Sequence, residues 1–420
     1  MYGNEHRTKT ADDRALLRLM YKFGLAIDFE SASKRSGFLT KMLTRAAHEQ
    51  FPYQESIFEE LARSHAWLVE GIGEIETQVI NHESLAQVLD GLTLQEAIGA
   101  TIVLQVGATQ NKGQYNPDWL NQENFRDVLD VFPRSTIETM AQRLTTTPDQ
   151  YRKDYQRAAT GKQLIARYDY NPLIANPFVD MGDGIPVAPA TRLILRTVTP
   201  GGLYHAGIQK YGSDFANDLG HLFEHYIGRQ LKLLPGAQIE PEIAYGKGSG
   251  NKSVDWFVIF PDLVVMVEVK SRRLSAAARA GDEVLIDSLK DTFTRARSQL
   301  ENTAHRLAEG HPAFSQVPTD RPILGLIVTA EPFYSAGAYL LDHDKTTIKC
   351  EGIPDVRVGV ASARDIEALV SQGNDVESLL LEQMSTSRGS ISTQDLGVSE
   401  GASNPILENA WQSYSWANLS

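Results

Sequence analysis

The sequence predicts a fold of the α+β or α/β class, in which a helical N-terminal domain precedes a domain that contains a sheet. Three observations lead to this prediction. Between residues 12 and 165, apolar side chains recur every three or four positions, which is typical of amphipathic helices. Residues 168–204 are dense in proline, glycine and asparagine, which favours turns and extended chain. Beyond them, short β-branched and aromatic runs alternate with helical patterns.

The N-terminal domain, residues 1–167, is expected to serve substrate recognition, regulation, or contact with a partner protein or a second copy of the chain. Thr93 and Glu96 have the spacing of a capping box, which marks the start of a helix. No cluster of His, Cys or carboxylate residues emerges from this part of the sequence. Helices are predicted at residues 11–29, 33–50, 56–71, 85–106 and 135–143.

The remaining chain is divided by composition. Residues 168–204 are predicted to be an extended connection, and residues 205–375 the sheet-containing domain. Residues 376–420 are rich in Ser, Gln, Asn and Glu, which predicts a loosely packed polar tail. Trp411 and Trp416 are the residues that would dock this tail on the body of the protein or on a partner.

Within residues 205–375 the elements are predicted in the order helix, strand, strand, strand, helix, strand. The first helix begins near Ser213, and two apolar strands are joined by a hairpin at Pro261-Asp262. The other predicted elements are a strand at residues 237–245, a helix at 287–308, a strand at Ile323–Thr329, a strand at 356–360 and a helix at 363–371.

The hairpin strands are apolar at nearly every position, so both faces of the sheet are expected to be covered. Three ionisable residues interrupt them: Asp255 in the first strand, and Glu268 and Lys270 in the second. Counting outward from the turn places Asp255 opposite Glu268, with Cβ atoms about 5 Å apart. Lys270 shares the face of Glu268 because side chains alternate along a strand.

Two carboxylates that face each other inside a sheet are costly, because like charges repel and buried charges lose their hydration. A divalent cation between Asp255 and Glu268 would compensate, and oxygen ligands suit Mg²⁺ or Mn²⁺. The alternative is a purely structural cluster in which Lys270 neutralises Glu268.

Asp255, followed by Glu268-Val269-Lys270, resembles the D…(D/E)-x-K signature of the PD-(D/E)xK, or restriction-endonuclease-like, nuclease superfamily. The resemblance implies an α-β-β-β-α-β core and metal-dependent hydrolysis of nucleic acid, DNA rather than RNA, in restriction, defence or repair. It implies that Asp255, Glu268 and the carbonyl of Val269 bind Mg²⁺ or Mn²⁺. It also implies that Lys270 positions or activates the attacking water.

Gly220, Glu224 and Gly228 form one stripe on the helix that begins near Ser213. Glycine costs about 1 kcal/mol in a helix interior, so two on one stripe suggest that something approaches closely. The resemblance implies that this is the sheet edge and the scissile phosphate, with Glu224 as a catalytic carboxylate. A surface glutamate with incidental glycines is the alternative.

The same helix carries a second pattern, because residues 221–225 read H-x-x-E-H, as in the inverzincin metalloproteases. His221 and His225 lie one helical turn apart and could share a zinc ion. Glu301 or Glu309 would have to supply a third ligand. This zinc peptidase interpretation leaves Asp255, Glu268 and Lys270 without a role.

The net charge of −13 argues against nonspecific coating of nucleic acid, so a nucleic-acid partner requires a local basic surface. A binding or assembly module with the same fold but no activity is the alternative to a nuclease. The single cysteine, the absence of a signal-peptide pattern and the lack of a long apolar run predict a cytoplasmic protein that does not enter membranes. The candidate basic residues are Lys247, Lys252, Lys270, Arg272, Arg273, Arg279, Lys290, Arg295 and Arg297.

Overall fold

The protein has a mixed α/β fold, as the sequence predicts. The computed structural model describes residues 13–25, 56–158, 171–246, 248, 250–271, 283–332, 340, 345–385 and 403–416. The helices are α1 Asp13–Leu25, α2 Ile57–Ser64, α3 His82–Val88, α4 Leu94–Gln110, α5 Arg126–Val131, α6 Arg134–Arg143, α7 Pro148–Ala158, α8 Arg192–Arg196, α9 Pro200–Tyr211, α10 Ser213–Leu231, α11 Glu283–Ala308, α12 Ala363–Val370, α13 Val376–Ser385 and α14 Pro405–Gln412. The strands are β1 Thr145–Thr146, β2 Phe178–Val179, β3 Gln238–Pro241, β4 Ala244–Tyr245, β5 Asn251–Lys252, β6 Trp256–Ile259, β7 Val264–Lys270, β8 Ile323–Thr329, β9 Thr347–Ile348 and β10 Val356–Ser362.

The main sheet has six strands in the order β3-β6-β7-β8-β10-β9. Strands β7, β8 and β10 run parallel, whereas β6 pairs antiparallel with β3 on one side and, through the hairpin, with β7 on the other. Helix α11 connects β7 to β8, since parallel neighbours require a crossover. From α10 onward the chain therefore contains the predicted order of helix, three strands, helix and strand, with the short hairpin β4-β5 inserted.

Both faces of the sheet are covered. Alternate residues of β7 belong to two separate apolar clusters: Val265 and Val267 face the cluster that contains α10 and much of the helical N-terminal half. Val264 and Met266 face the cluster that contains α11. This double burial explains why the strand sequences are apolar at nearly every position. Each fully buried aliphatic side chain stabilises the fold by about 1.5–3 kcal/mol.

The helical N-terminal half shares its hydrophobic core with the sheet, and a buried carboxylate attaches it to α10. Asp218 is completely buried and accepts hydrogen bonds from the backbone N–H groups of Gln78, Val79 and Ile80 at 2.9, 2.6 and 2.8 Å. Three charge-assisted hydrogen bonds compensate for the burial of this carboxylate. Helix α10 is thereby fixed between the helical half and the sheet.

Some predicted boundaries are wrong because local turn and cap signals override the apolar pattern. The helix predicted at 85–106 is two helices, α3 and α4, separated by Asp90 and Gly91 at φ values of 55° and 93°. Thr93 and Glu96 do form the predicted capping box of α4. The strand predicted at 237–245 is divided into β3 and β4, and the helix predicted at 33–50 lies outside the described residues.

The connection predicted at 168–204 is not extended throughout. It contains β2 but also α8 and the start of α9. The hydroxyl of Thr199 caps α9 by accepting a hydrogen bond from the Gly202 N–H, and Pro200 occupies the first helical position, where a missing N–H costs nothing. Proline was therefore a helix-start signal here rather than a sign of extended chain.

The expectation of a loosely packed tail is wrong for its described parts, residues 376–385 and 403–416. Tyr414 is fully buried and its hydroxyl donates a hydrogen bond to the carbonyl oxygen of Leu61 at 2.9 Å. Trp411 packs edge-on against Phe58. The ring centroids of Trp416 and Phe132 are 6.0 Å apart. The aromatic residues dock this segment on the body of the protein, which is one of the two possibilities that the sequence left open.

No helix within the described ranges is long and apolar enough to cross a membrane.

Candidate functional site

The hairpin brings Asp255 and Glu268 together as the register predicted. Trp256 pairs with Val267 across β6 and β7, so the next step outward places Asp255 opposite Glu268. The backbone N–H of Val269 donates a hydrogen bond of 2.6 Å to Oδ2 of Asp255. Because the N–H and C=O of a strand residue point to the same side, the carbonyl of Val269 also faces Asp255.

Glu268 is a buried carboxylate that is only half satisfied. The residue is 3% exposed, and its Oε1 pairs with the ammonium of Lys270. Its Oε2 has no hydrogen-bond partner among the described residues. Burial, followed by the negative charge of Asp255, raises the pKa of Glu268 to about 8. An unpaired buried carboxylate oxygen is costly, so this atom marks a place where a cation would be favourable.

Lys270 provides only part of that compensation. Its side chain is 29% exposed, so the ammonium contacts Glu268 from the solvent side. The purely structural alternative, in which Lys270 neutralises Glu268, is therefore present in part, as an ion pair between these two side chains. It accounts for one oxygen of Glu268, whereas the other has no hydrogen-bond partner among the described residues. The positive charges of Lys270 and Lys252 also act on Asp255. The pKa of Asp255 is raised, chiefly by burial.

Helix α10 approaches this end of the sheet along its glycine stripe. A Cβ atom added to Gly228 would lie 2.1 Å from the indole of Trp256, and one added to Gly220 would lie 3.0 Å from Oγ of Ser271. The indole N–H of Trp256 donates a hydrogen bond of 3.2 Å to the carbonyl of Glu224. The glycines therefore allow α10 to pack directly on β6 and on the end of β7.

The stripe places Glu224 within electrostatic reach of the hairpin carboxylates. Burial raises the pKa of Glu224 to about 7, and the charges of Asp255 and Glu242 contribute to the rise, while Lys252 and Lys270 oppose it. Glu224 is thus part of the same charged cluster as Asp255 and Lys270. It reaches that cluster from the face of the sheet that α10 covers.

The two glycines give a matched test of this contact. Gly228→Ala should destabilise the protein by about 1–3 kcal/mol, because the new Cβ overlaps the rigid Trp256 ring and overpacking forces the helix outward. Gly220→Ala should be close to neutral, since the serine hydroxyl can rotate and alanine favours the helix by about 1 kcal/mol. Urea unfolding of both variants measures the difference. Equal stability of the two would contradict the close packing of α10 on Trp256.

Helix α11 supports the segment that leads into Asp255, a role that the apolar pattern of this helix does not indicate. The amide of Gln299 donates hydrogen bonds of 3.1 Å to the carbonyls of Lys252 and Ser253. The hydroxyl of Thr303 accepts a hydrogen bond from the Val254 N–H at 3.1 Å. No sequence signal distinguishes Thr303 from other helical residues.

The donor set suits a hard cation with water ligands better than a transition metal. In the described part of the chain, no three His, Cys, Asp or Glu side chains are grouped as they would be to enclose a metal ion. Asp255 and Glu268 offer two carboxylates, and Val269 offers a carbonyl. Mg²⁺ is typically held by one or two carboxylates and keeps several waters, so this open set fits it.

The structure supports only part of the predicted basic surface. Lys247, Arg272, Arg273 and Arg279 and the side chain of Lys290 lie outside the described residues. Lys252 is exposed and pairs with Glu242 at 2.9 Å, and Arg295 is exposed on α11.

Arg297 has a structural role instead. It donates hydrogen bonds to the carbonyl oxygens of Lys345 and Thr347 at 2.5 and 2.7 Å. These bonds tie α11 to the segment that enters β9.

The geometry argues against the zinc peptidase interpretation. His221 is exposed, and Nε2 of His225 lies 2.6 Å from the carboxylate of Glu74. The two proposed third ligands are occupied elsewhere, since Glu301 pairs with Arg297 at 2.8 Å and Glu309 with Arg306 at 2.5 Å.

Comparison with known proteins does not assign the chain to a family. No model of a protein family matches the chain, and no curated protein was found that resembles it.

Proposed function

We propose that the protein is a Mg²⁺- or Mn²⁺-dependent nuclease that hydrolyses phosphodiester bonds in DNA. One observation carries the proposal: Oε2 of Glu268 is buried, lacks a partner among the described residues, and lies on a carboxylate that faces Asp255. A stability role alone does not account for this arrangement, because an unpaired buried carboxylate destabilises a fold. Such costs are common at functional sites, where a ligand supplies the missing interaction.

Asp255, Glu268 and the carbonyl of Val269 would hold the metal. When bound, a divalent ion supplies charge stabilisation for the phosphate and lowers the pKa of a coordinated water. The Val269 N–H holds Asp255 in place, and Gln299 fixes the segment before it. These contacts orient the carboxylates before any ligand arrives.

Lys270 and Glu224 have different proposed roles. The ammonium of Lys270 is partly exposed at the end of β7, where it can hold a water or stabilise negative charge on a phosphate oxygen. Glu224, whose pKa is raised to about 7, can exchange a proton near neutral pH from the α10 side. The proposed core follows the α-β-β-β-α-β order that runs from α10 through β8.

The test is a cleavage assay on linear double-stranded, circular and single-stranded DNA and on RNA, with Mg²⁺, Mn²⁺, Zn²⁺ or EDTA. Cleavage that requires Mg²⁺ or Mn²⁺ and is lost in EDTA supports the proposal, and the preferred polymer identifies the substrate. Cleavage that requires zinc would contradict it. Tight binding of nucleic acid without cleavage under any condition would favour the inactive binding module.

A further inference from the structure

A cleft of 650 Å³ lies between α2, α12 and α14. None of its lining residues is a site residue of the β6-β7 hairpin or of Glu224. Its volume falls in the range of small-molecule sites, about 300–1,000 Å³. The three helices come from the N-terminal half, the end of the sheet domain and the C-terminal segment, so only the folded chain assembles the cleft.

An aromatic pair forms one wall of the cleft. Phe58 is 60% exposed, which is unusual for a large apolar side chain with packed neighbours. Its ring meets Trp411 edge-on at a centroid distance of 5.2 Å. Leu407, on α14, also lines the cleft. This wall offers apolar surface and two aromatic rings.

Polar side chains that are hydrogen-bonded to one another form the floor of the cleft. Glu367 is 4% exposed and accepts hydrogen bonds from Arg63 at 2.5 and 2.7 Å and from the Tyr226 hydroxyl at 2.7 Å. Asn404 donates to the side chain of Gln230 at 2.8 Å and to the backbone carbonyl of Glu367 at 3.2 Å. Because these groups already satisfy one another, the floor is rigid and a ligand need not reorganise it.

The charges at the mouth are mainly acidic. Glu59 and Glu408 are exposed lining residues, and neither has an ion-pair partner among the described residues. Among the described residues that line the cleft, Arg364 is the one cationic side chain, whereas Arg63 is neutralised by Glu367 below. Unpaired carboxylates beside exposed aromatic rings attract a cation that also carries apolar surface.

We infer that this cleft binds a small organic cation, namely an ammonium or guanidinium group on an apolar stem. The stem lies along Phe58 and Leu407, and the charged group lies between the aromatic wall and the carboxylates of Glu59 and Glu408. This inference is independent of the proposed nuclease function, since binding can be measured without any activity.

Isothermal titration calorimetry on the full chain tests the inference with N-butylguanidinium and its neutral isostere N-butylurea. The guanidinium should bind with a Kd below about 1 mM, and the urea at least tenfold more weakly. Phe58→Ala and Glu408→Gln should each weaken guanidinium binding about three- to tenfold. Glu123→Gln, at an exposed glutamate that does not line the cleft, should leave binding unchanged.

A blocked peptide that contains one arginine distinguishes the two sources of the cation. Tighter binding of the peptide than of N-butylguanidinium would indicate a side chain of a partner protein, and the reverse would indicate a free metabolite. The inference is overturned if the guanidinium fails to bind, if the urea binds equally well, or if neither cleft variant changes the affinity.

Discussion

Lys270→Ala is expected to reduce cleavage of nucleic acid by about 10³-fold while leaving the protein folded. The ammonium is the cationic group that contacts Glu268, and its side chain is 29% exposed at the end of β7. Its removal takes away the group that would position water or stabilise negative charge on a phosphate. Cleavage rates at saturating Mg²⁺ on the preferred polymer measure the effect.

The folded state should tolerate this change because the lysine lies at the strand end. Circular dichroism should be unchanged. Lys153→Ala is the matched control, since Lys153 is exposed on α7 and remote from the hairpin in sequence. Asp255→Ala should give a loss of similar size. Full activity in both the Lys270 and the Asp255 variants would remove the basis of the proposed mechanism.

Glu268→Gln is expected to have opposite effects on activity and stability. Cleavage should fall by about 10³-fold, because an amide replaces a carboxylate ligand of the proposed metal. Without metal, the variant should be more stable than the wild type at pH 8, by roughly 1–3 kcal/mol. The amide removes a buried charge whose Oε2 lacks a partner among the described residues and which faces the carboxylate of Asp255.

The free energy of unfolding of the metal-free protein should fall as the pH rises. The folded protein raises the pKa of Glu268 from 4.5 to about 8, so the folded state holds a proton that the unfolded state releases. The stabilisation associated with this proton is complete below pH 4.5 and is lost as the pH rises to about 8. The raised pKa values of Glu224 and Asp255 act in the same direction.

Thermal unfolding in EDTA between pH 5 and about pH 8.5 tests this prediction. The wild-type midpoint should fall across the range, and the Glu268→Gln midpoint should fall less. Addition of Mg²⁺ at the upper end should raise the wild-type midpoint but not that of the variant. Glu123→Gln should behave as the wild type in both conditions. A variant that is less stable than the wild type at high pH would show that the carboxylate of Glu268 supports the fold instead of a ligand.

The sequence alone determined the arrangement of the hairpin site. Side chains alternate with a period of two along a strand, so a turn at Pro261-Asp262 fixes which residues face one another. Asp255 and Glu268 are opposite because of this local rule, and Lys270 shares their face for the same reason. The order of helix, three main-sheet strands, helix and strand from α10 to β8 was likewise readable from local apolar periodicity.

The tertiary structure decided everything that depends on contacts between distant segments. The sequence could indicate that Gly220 and Gly228 admit a close neighbour, but only the fold identifies Ser271 and Trp256 as those neighbours. Oε2 of Glu268 has no hydrogen-bond partner among the described residues, which depends on how distant segments pack around it.

Contacts between distant residues also determine how the C-terminal segment and α10 are joined to the rest of the protein. Composition separated the polar C-terminal segment from the body, yet Tyr414 is buried against Leu61, more than three hundred residues earlier in the chain. Asp218 joins α10 to the loop of residues 78–80 through hydrogen bonds that no local sequence pattern predicts. Local rules act over a few residues, whereas burial and hydrogen-bond satisfaction are properties of the whole folded chain.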